Sequence, residues 1–207
     1  MANGIPLPAI GALTFDAEGQ EGGRYDSRQF HVPTAASGLT IGRGYDMKLR
    51  NKSQIRDDLA AAGVAPEMSA LISQAAGMAG GQADEFIAEN HLEGFRIEPE
   101  AQLKLFEIEY ARQEADARRL ATKSDVTQAY GVTDWDGLNG AIRETVVDLR
   151  FRGDYTPTAR RFLQTCIVDD DLGAFAREIG DQENWPNVPD DRFNRRKAFC
   201  DAALSQT

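Results

Sequence analysis

At 207 residues, with 42% hydrophobic and 27% charged side chains, the chain has the size and composition of one globular domain able to bury a substantial core. Its 33 acidic against 23 basic residues give a formal charge of −10, which argues against sequence-independent nucleic-acid binding and against attraction to anionic surfaces. No apolar run reaches the roughly 18–20 residues that span a bilayer, and MANGIPLPAIGAL lacks the basic start and long apolar core of a signal peptide.

In chain order, residues 8–17 place Ile10, Leu13 and Phe15 in a short helix that ends near Gly19. Residues 19–45 are rich in glycine, and strand-like pieces at Gln29–Val32 and Gly38–Ile41 predict a small irregular hairpin or sheet. Ser53 is a candidate N-cap for the next helix, which Gly63 stops. Helices follow at Pro66–Ala76 and about Gln82–Asn90. The longest is predicted from Pro99 to about Thr122, where Leu103, Phe106 and Tyr110 repeat at three and four with Leu105 and Ile108 beside them. Leu138–Phe151 is amphipathic with Ile142, Val146 and Leu149 inward, and Thr158–Val168, Leu172–Gly180 and Asp190–Leu204 complete nine expected helices. The expected architecture is α+β, predominantly helical, as a single domain with an N-terminal lobe over residues 1–62 and a helical lobe over 63–207.

Cys166 and Cys200 lack CxxC spacing and sit in expected helices, so they read as buried free thiols, with a disulfide left open. Asp169–Asp171 lacks the spaced loop and glycine of a calcium-binding hand, and reads as a turn capping the next helix.

The chemistry is concentrated between Phe15 and Arg50. No G-x-S-x-G elbow occurs, and His31 and His91 are too few for a histidine-rich metal site. Carboxylates remain. Glu18 ends the first helix behind an apolar run, where desolvation would favour a protonated general acid. Asp46 follows the Thr40-Ile41-Gly42-Arg43-Gly44-Tyr45 strand and turn. Two carboxyls flanking a bond are what glycoside hydrolysis needs. A structural reading stands beside this one: Glu18 ends a helix and Asp46 caps a turn.

Glu18-Gly19 followed by Ser37-Gly38-Leu39-Thr40-Ile41-Gly42-Arg43-Gly44-Tyr45-Asp46 resembles the muramidases of the phage-type lysozyme superfamily. An aspartate six residues after the threonine is similar to the pesticin-like branch and to lysozyme domains of bacterial toxins and type VI secretion effectors. In phage lysozymes proper the aspartate precedes the threonine, where this chain offers the weaker candidate Asp26. Ile142–Phe151, Arg160-Arg161-Phe162-Leu163, and Trp185 followed by Asp191-Arg192-Phe193-Asn194-Arg195-Arg196 resemble the C-terminal helical lobe of the same group. The likeness brackets residues 8–204, and 64–98 have no counterpart.

The resemblance implies a two-lobed lysozyme-like fold and cleavage of the β-1,4 bond between N-acetylmuramic acid and N-acetylglucosamine. It implies Glu18 as general acid, Asp46 as second carboxylate and Thr40 holding the attacking water, with no metal or organic cofactor. Glu21-Gly22 is a second Glu-Gly, so Glu21 stands as the alternative acid. His31 and Tyr45 are candidates to line the sugar cleft, with a core position equally open for Tyr45. The implied partners are peptidoglycan strands and a cognate immunity protein, with no nucleic acid and no membrane insertion, for a monomer. The implied setting is the periplasm of a target bacterium, reached through a secretion system. A phage endolysin, or a non-catalytic wall-binding or toxin-docking module, is the alternative.

Overall fold

The computed structural model describes residues 6–23 and 26–206. The protein is mostly helical, 59% helix in ten helices among the described residues, with one two-stranded sheet. It divides into two compact units, one formed by residues 1–9 and 18–109, the other by 10–17 and 110–207. This corrects the expected boundary at 62/63: the helices after residue 62 share a core with the strands before it.

In the first unit, β1 (Thr40–Ile41) and β2 (Tyr45–Asp46) pair antiparallel, Thr40 opposite Asp46 and Ile41 opposite Tyr45. Gly42 and Gly44 make the connecting turn with φ of +66° and +82°, values that side chains with a Cβ resist. The hairpin expected between 29–32 and 38–41 is reduced to one bridge, His31 with Thr40, while Gln29 bridges Arg96 instead. Strand alternation sends Leu39, Ile41, Tyr45 and Met47 into the core, all fully buried. There they meet α2 (Lys52–Ala61), α3 (Pro66–Ile72), α4 (Gly81–Glu89) and the first part of α5 (Pro99–Thr122) through Ile55, Leu59, Ile72, Phe86 and Leu105. The cap of α2 is Asn51 rather than Ser53, its side chain accepting from Gln54 N at 2.9 Å.

Tyr45 belongs to this core. Its hydroxyl donates to Asp58 at 2.6 Å, and the Arg50 guanidinium lies 4.2 Å over its ring. Tyr45→Phe removes a buried donor to a buried carboxylate, and urea denaturation should show a loss of about 1–3 kcal/mol.

The second unit holds α1 (Ala12–Ala17), the rest of α5, and α6 to α10. Short α6 (Ser124–Tyr130) was not expected; it buries only Val126, too little for a periodic stripe. In α7 (Gly140–Arg152) the expected Ile142, Val146 and Leu149 are fully buried. Thr156 caps α8 (Pro157–Val168) with Pro157 in its first turn, and Asp171 caps α9 (Leu172–Gly180) through Ala174 N at 2.8 Å. α1 packs on α7 and on α10 (Asp190–Leu204), and Glu144 of α7 accepts from Leu13 N at 3.0 Å, satisfying one of the orphan amides of α1.

Asp148 of α7 is fully buried and receives Arg192 through Nη2 at 2.6 Å and Nε at 3.1 Å, and Arg196 Nε at 2.7 Å. Arg196 also reaches Asp154 at 2.8 Å. Two of the basic residues of the last helix, Arg192 and Arg196, are thereby buried in charge-assisted bonds to α7, while Arg195 and Lys197 face solvent.

No helix among the described residues is long and apolar enough to cross a membrane. Cys166 and Cys200 are both free thiols; Cys200 is buried, Cys166 half-buried, and burial raises the pKa of each.

Candidate active site

Thr40, Asp46 and His31 form one row. Thr40 exchanges both backbone hydrogen bonds with His31, N to O at 2.9 and 3.1 Å, and is directly opposite Asp46 on its other side. Residues directly opposed across antiparallel strands project to the same face, so these three side chains share the face opposite Tyr45, with Thr40 buried there and Asp46 and His31 half-buried. The expected place of Tyr45 lining a sugar cleft is therefore corrected: the ring has no exposed surface.

Asp46 is half-buried and held by two backbone amides. Oδ1 accepts from Lys48 N at 2.7 Å and Oδ2 from Gly38 N at 3.1 Å. Each carboxylate oxygen has two acceptor positions, so the group is oriented without being saturated by these bonds. The Thr40 hydroxyl donates to Gly38 O at 3.1 Å, keeping its lone pairs as acceptors. His31 is half-buried, its Nδ1 3.1 Å from Gln29 O, which biases that nitrogen towards the protonated tautomer.

Glu18 is half-buried, one residue beyond α1. Gly19 after it is a contact position: a Cβ there would meet Arg43 Cγ at 2.6 Å and Nη1 at 2.7 Å. The Arg43 side chain, from the turn between β1 and β2, thus lies directly on the Glu18-Gly19 backbone. The next residues are joined to the same strands through Ser27. Its hydroxyl accepts from Gln20 N at 2.8 Å, its amide donates to Gln20 O at 2.8 Å, and its carbonyl accepts from Gly42 N at 2.6 Å.

Glu21 occupies a different environment. One oxygen accepts from Arg43 Nη2 at 2.9 Å and from Gln102 Nε2 at 2.8 Å, the other from Arg28 Nε at 3.2 Å. Three donors, two of them guanidinium groups, make it the fastener of the loop. Gln102 is fully buried on α5, 81 residues away, and no local pattern announces the pairing. Asp26, the weaker candidate in sequence, is also engaged: Oδ1 accepts from Arg28 N at 3.1 Å, and Oδ2 forms a close ion pair with Arg96 that lacks hydrogen-bond geometry. Among the described residues no group of three or more His, Cys, Asp or Glu side chains is placed to hold a metal ion.

These positions set a carboxylate and a hydroxyl on a short sheet backed by a helical core, in the same unit as a guanidinium-held carboxylate pair. The chain belongs to the family described as domain of unknown function DUF8812, which matches residues 11–197 and so takes in every site residue named above. No curated protein matches the chain.

Proposed function

We propose that this protein is a muramidase with a two-lobed, lysozyme-like fold, cleaving the β-1,4 bond between N-acetylmuramic acid and N-acetylglucosamine. Glu18 protonates the leaving oxygen, Asp46 is the second carboxylate, and Thr40 holds the attacking water by accepting a hydrogen bond from it. His31 borders the same face and contacts the sugar. The observation that carries the reading is the row His31–Thr40–Asp46, three candidate residues paired side by side on one small sheet, with Arg43 of the same hairpin packed on Gly19, the residue after Glu18. Glu18 is preferred to Glu21 as the acid because Glu21 already receives three structural donors. Glu21→Gln should keep its cleavage products unchanged and lose about 1.5–3 kcal/mol in urea denaturation, the range for hydrogen bonds to a charged group. Complete loss of cleavage in a folded Glu21→Gln variant would reverse the assignment.

The test of the activity is loss of turbidity of purified sacculi, with mass spectrometry of the fragments. Products with new reducing ends support it; intact sacculi, or cuts confined to the peptides, reject it. The fully local bonding of Asp46 and Thr40 favours a second reading, a wall-binding or toxin-docking module without turnover. That module would sediment with sacculi and release no sugar fragments.

The setting that goes with the muramidase reading is a monomeric antibacterial effector domain of the pesticin-like kind. It acts on the periplasmic wall of a target cell, and the producer is protected by an immunity protein. Release from a lysing host, as a phage endolysin, is the competing setting.

A further inference from the structure

Arg28, Arg43 and Arg96 meet Glu21 and Asp26 in the loop after Glu18, three guanidinium groups against two carboxylates. This is unusual ground for the protein. Between Asp58 and Leu103 the sequence holds eight acidic residues (Asp58, Glu67, Asp84, Glu85, Glu89, Glu93, Glu98 and Glu100), and Arg96 is its only Lys or Arg. The carboxylates use only part of two of the guanidiniums. Arg28 donates Nε to Glu21, Arg96 sets Nη2 against Asp26 as an ion pair, and the other guanidinium nitrogens of both have no partner among the described residues. Both side chains reach solvent, Arg28 at 20% and Arg96 at 39% exposure. Each is therefore fixed along one edge by a buried or half-buried acid while donors on the other edge remain open. A planar fork with free donors is matched by a carboxylate.

We propose that Arg28 and Arg96 form a subsite for the carboxylates of the peptide that peptidoglycan carries on its lactyl groups. This rests on the muramidase reading and extends it from the sugar bond to the substituent beside it. The position suits that role. Arg43 touches the Gly19 backbone, Glu21 joins Arg43 to Arg28, and Asp26 joins Arg28 to Arg96, so the open donors are linked by successive direct contacts to the residue after Glu18. Glu21 and Asp26 act as positioning residues that hold the two forks in place.

The test uses the free tetrapeptide L-Ala-D-Glu-meso-diaminopimelate-D-Ala, which contains no glycosidic bond, and the same peptide with its carboxyls converted to amides. Calorimetric titration of the wild-type protein should show the acid form binding at least about tenfold more tightly than the amide, with the difference shrinking as salt is raised. Arg96→Gln should weaken the acid form by about five- to tenfold, and Arg96→Lys, which keeps the charge without the fork, by less. Arg28→Gln is the second variant, with circular dichroism and melting as the check on folding. Equal binding of acid and amide, or unchanged binding by both folded Gln variants, overturns the proposal. Its failure is separable from that of the muramidase reading. Sacculi that dissolve without tetrapeptide binding reject the subsite alone, and tetrapeptide binding with intact sacculi supports the subsite and rejects the hydrolase.

Discussion

Glu18→Gln abolishes solubilisation of sacculi while leaving their binding intact: this is the largest effect expected on activity. The substitution keeps the shape and removes the only proton the proposed mechanism can deliver to the leaving oxygen. General acid catalysis contributes about 10²–10⁴-fold, enough to take turnover below detection in a turbidity assay. Co-sedimentation should remain at the wild-type level, because glutamine preserves the contacts of the side chain's length and polarity. A variant that still released new reducing ends at the wild-type rate would remove Glu18 from the mechanism. The Gln variants at 18 and 21 form a matched pair, since each exchanges one oxygen for an amide within four residues of the other. Opposite effects on cleavage and stability would separate the reacting carboxylate from the fastening one.

The largest effect expected on stability lies elsewhere, at Asp148. Its carboxylate sits between Arg192 and Arg196, themselves nearly inaccessible, and has no exposed surface. Asp148→Asn takes from two buried cations the carboxylate they share, Arg196 keeping its contact with Asp154. Removing one member of a buried ion pair typically costs about 3–5 kcal/mol. For a chain of this size that is roughly 6–20 °C in Tm, at about 2–4 °C per kcal/mol. Scanning calorimetry checks it, and a loss under about 1 kcal/mol would show that Asp154 holds Arg196 by itself. Replacing Asp148, Arg192 and Arg196 together by apolar residues of similar volume should recover much of the loss, because the desolvation of all three charges disappears with them.

The helical frame was legible because its signals are local. Inward stripes such as Ile142, Val146 and Leu149, and stops such as Gly153, lie within a turn or two of one another. Short α6 was not legible, having a single buried residue. The strand region was half legible. Leu39-x-Ile41 and Tyr45-x-Met47 alternate on either side of a two-glycine turn, and that pattern alone assigns Tyr45 to the core face and Thr40 and Asp46 to the other. Read as a motif rather than as a pleat, the segment leaves Tyr45 open between cleft and core; the pleat decides for the core. The bonds that distinguish Glu21 from Glu18 were beyond reach of sequence, since they come from Arg43 and Gln102, 22 and 81 residues away. Distant donors of that kind become visible only when the chain is folded.

The short helix α1 belongs with residues 110–207, although the polypeptide between them builds the other unit. During synthesis α1 emerges before its neighbours α7 and α10, which come after residue 139 and after residue 189. At roughly 5–20 residues per second the wait for the end of α10 is roughly 10–40 s. Over that interval residues 18–109 can condense on the ribosome, while Leu13 and Phe15 remain without the surface that finally covers them. The helix immediately before Glu18 is therefore covered late, although Glu18 itself belongs to the unit whose residues are all made before α6 to α10.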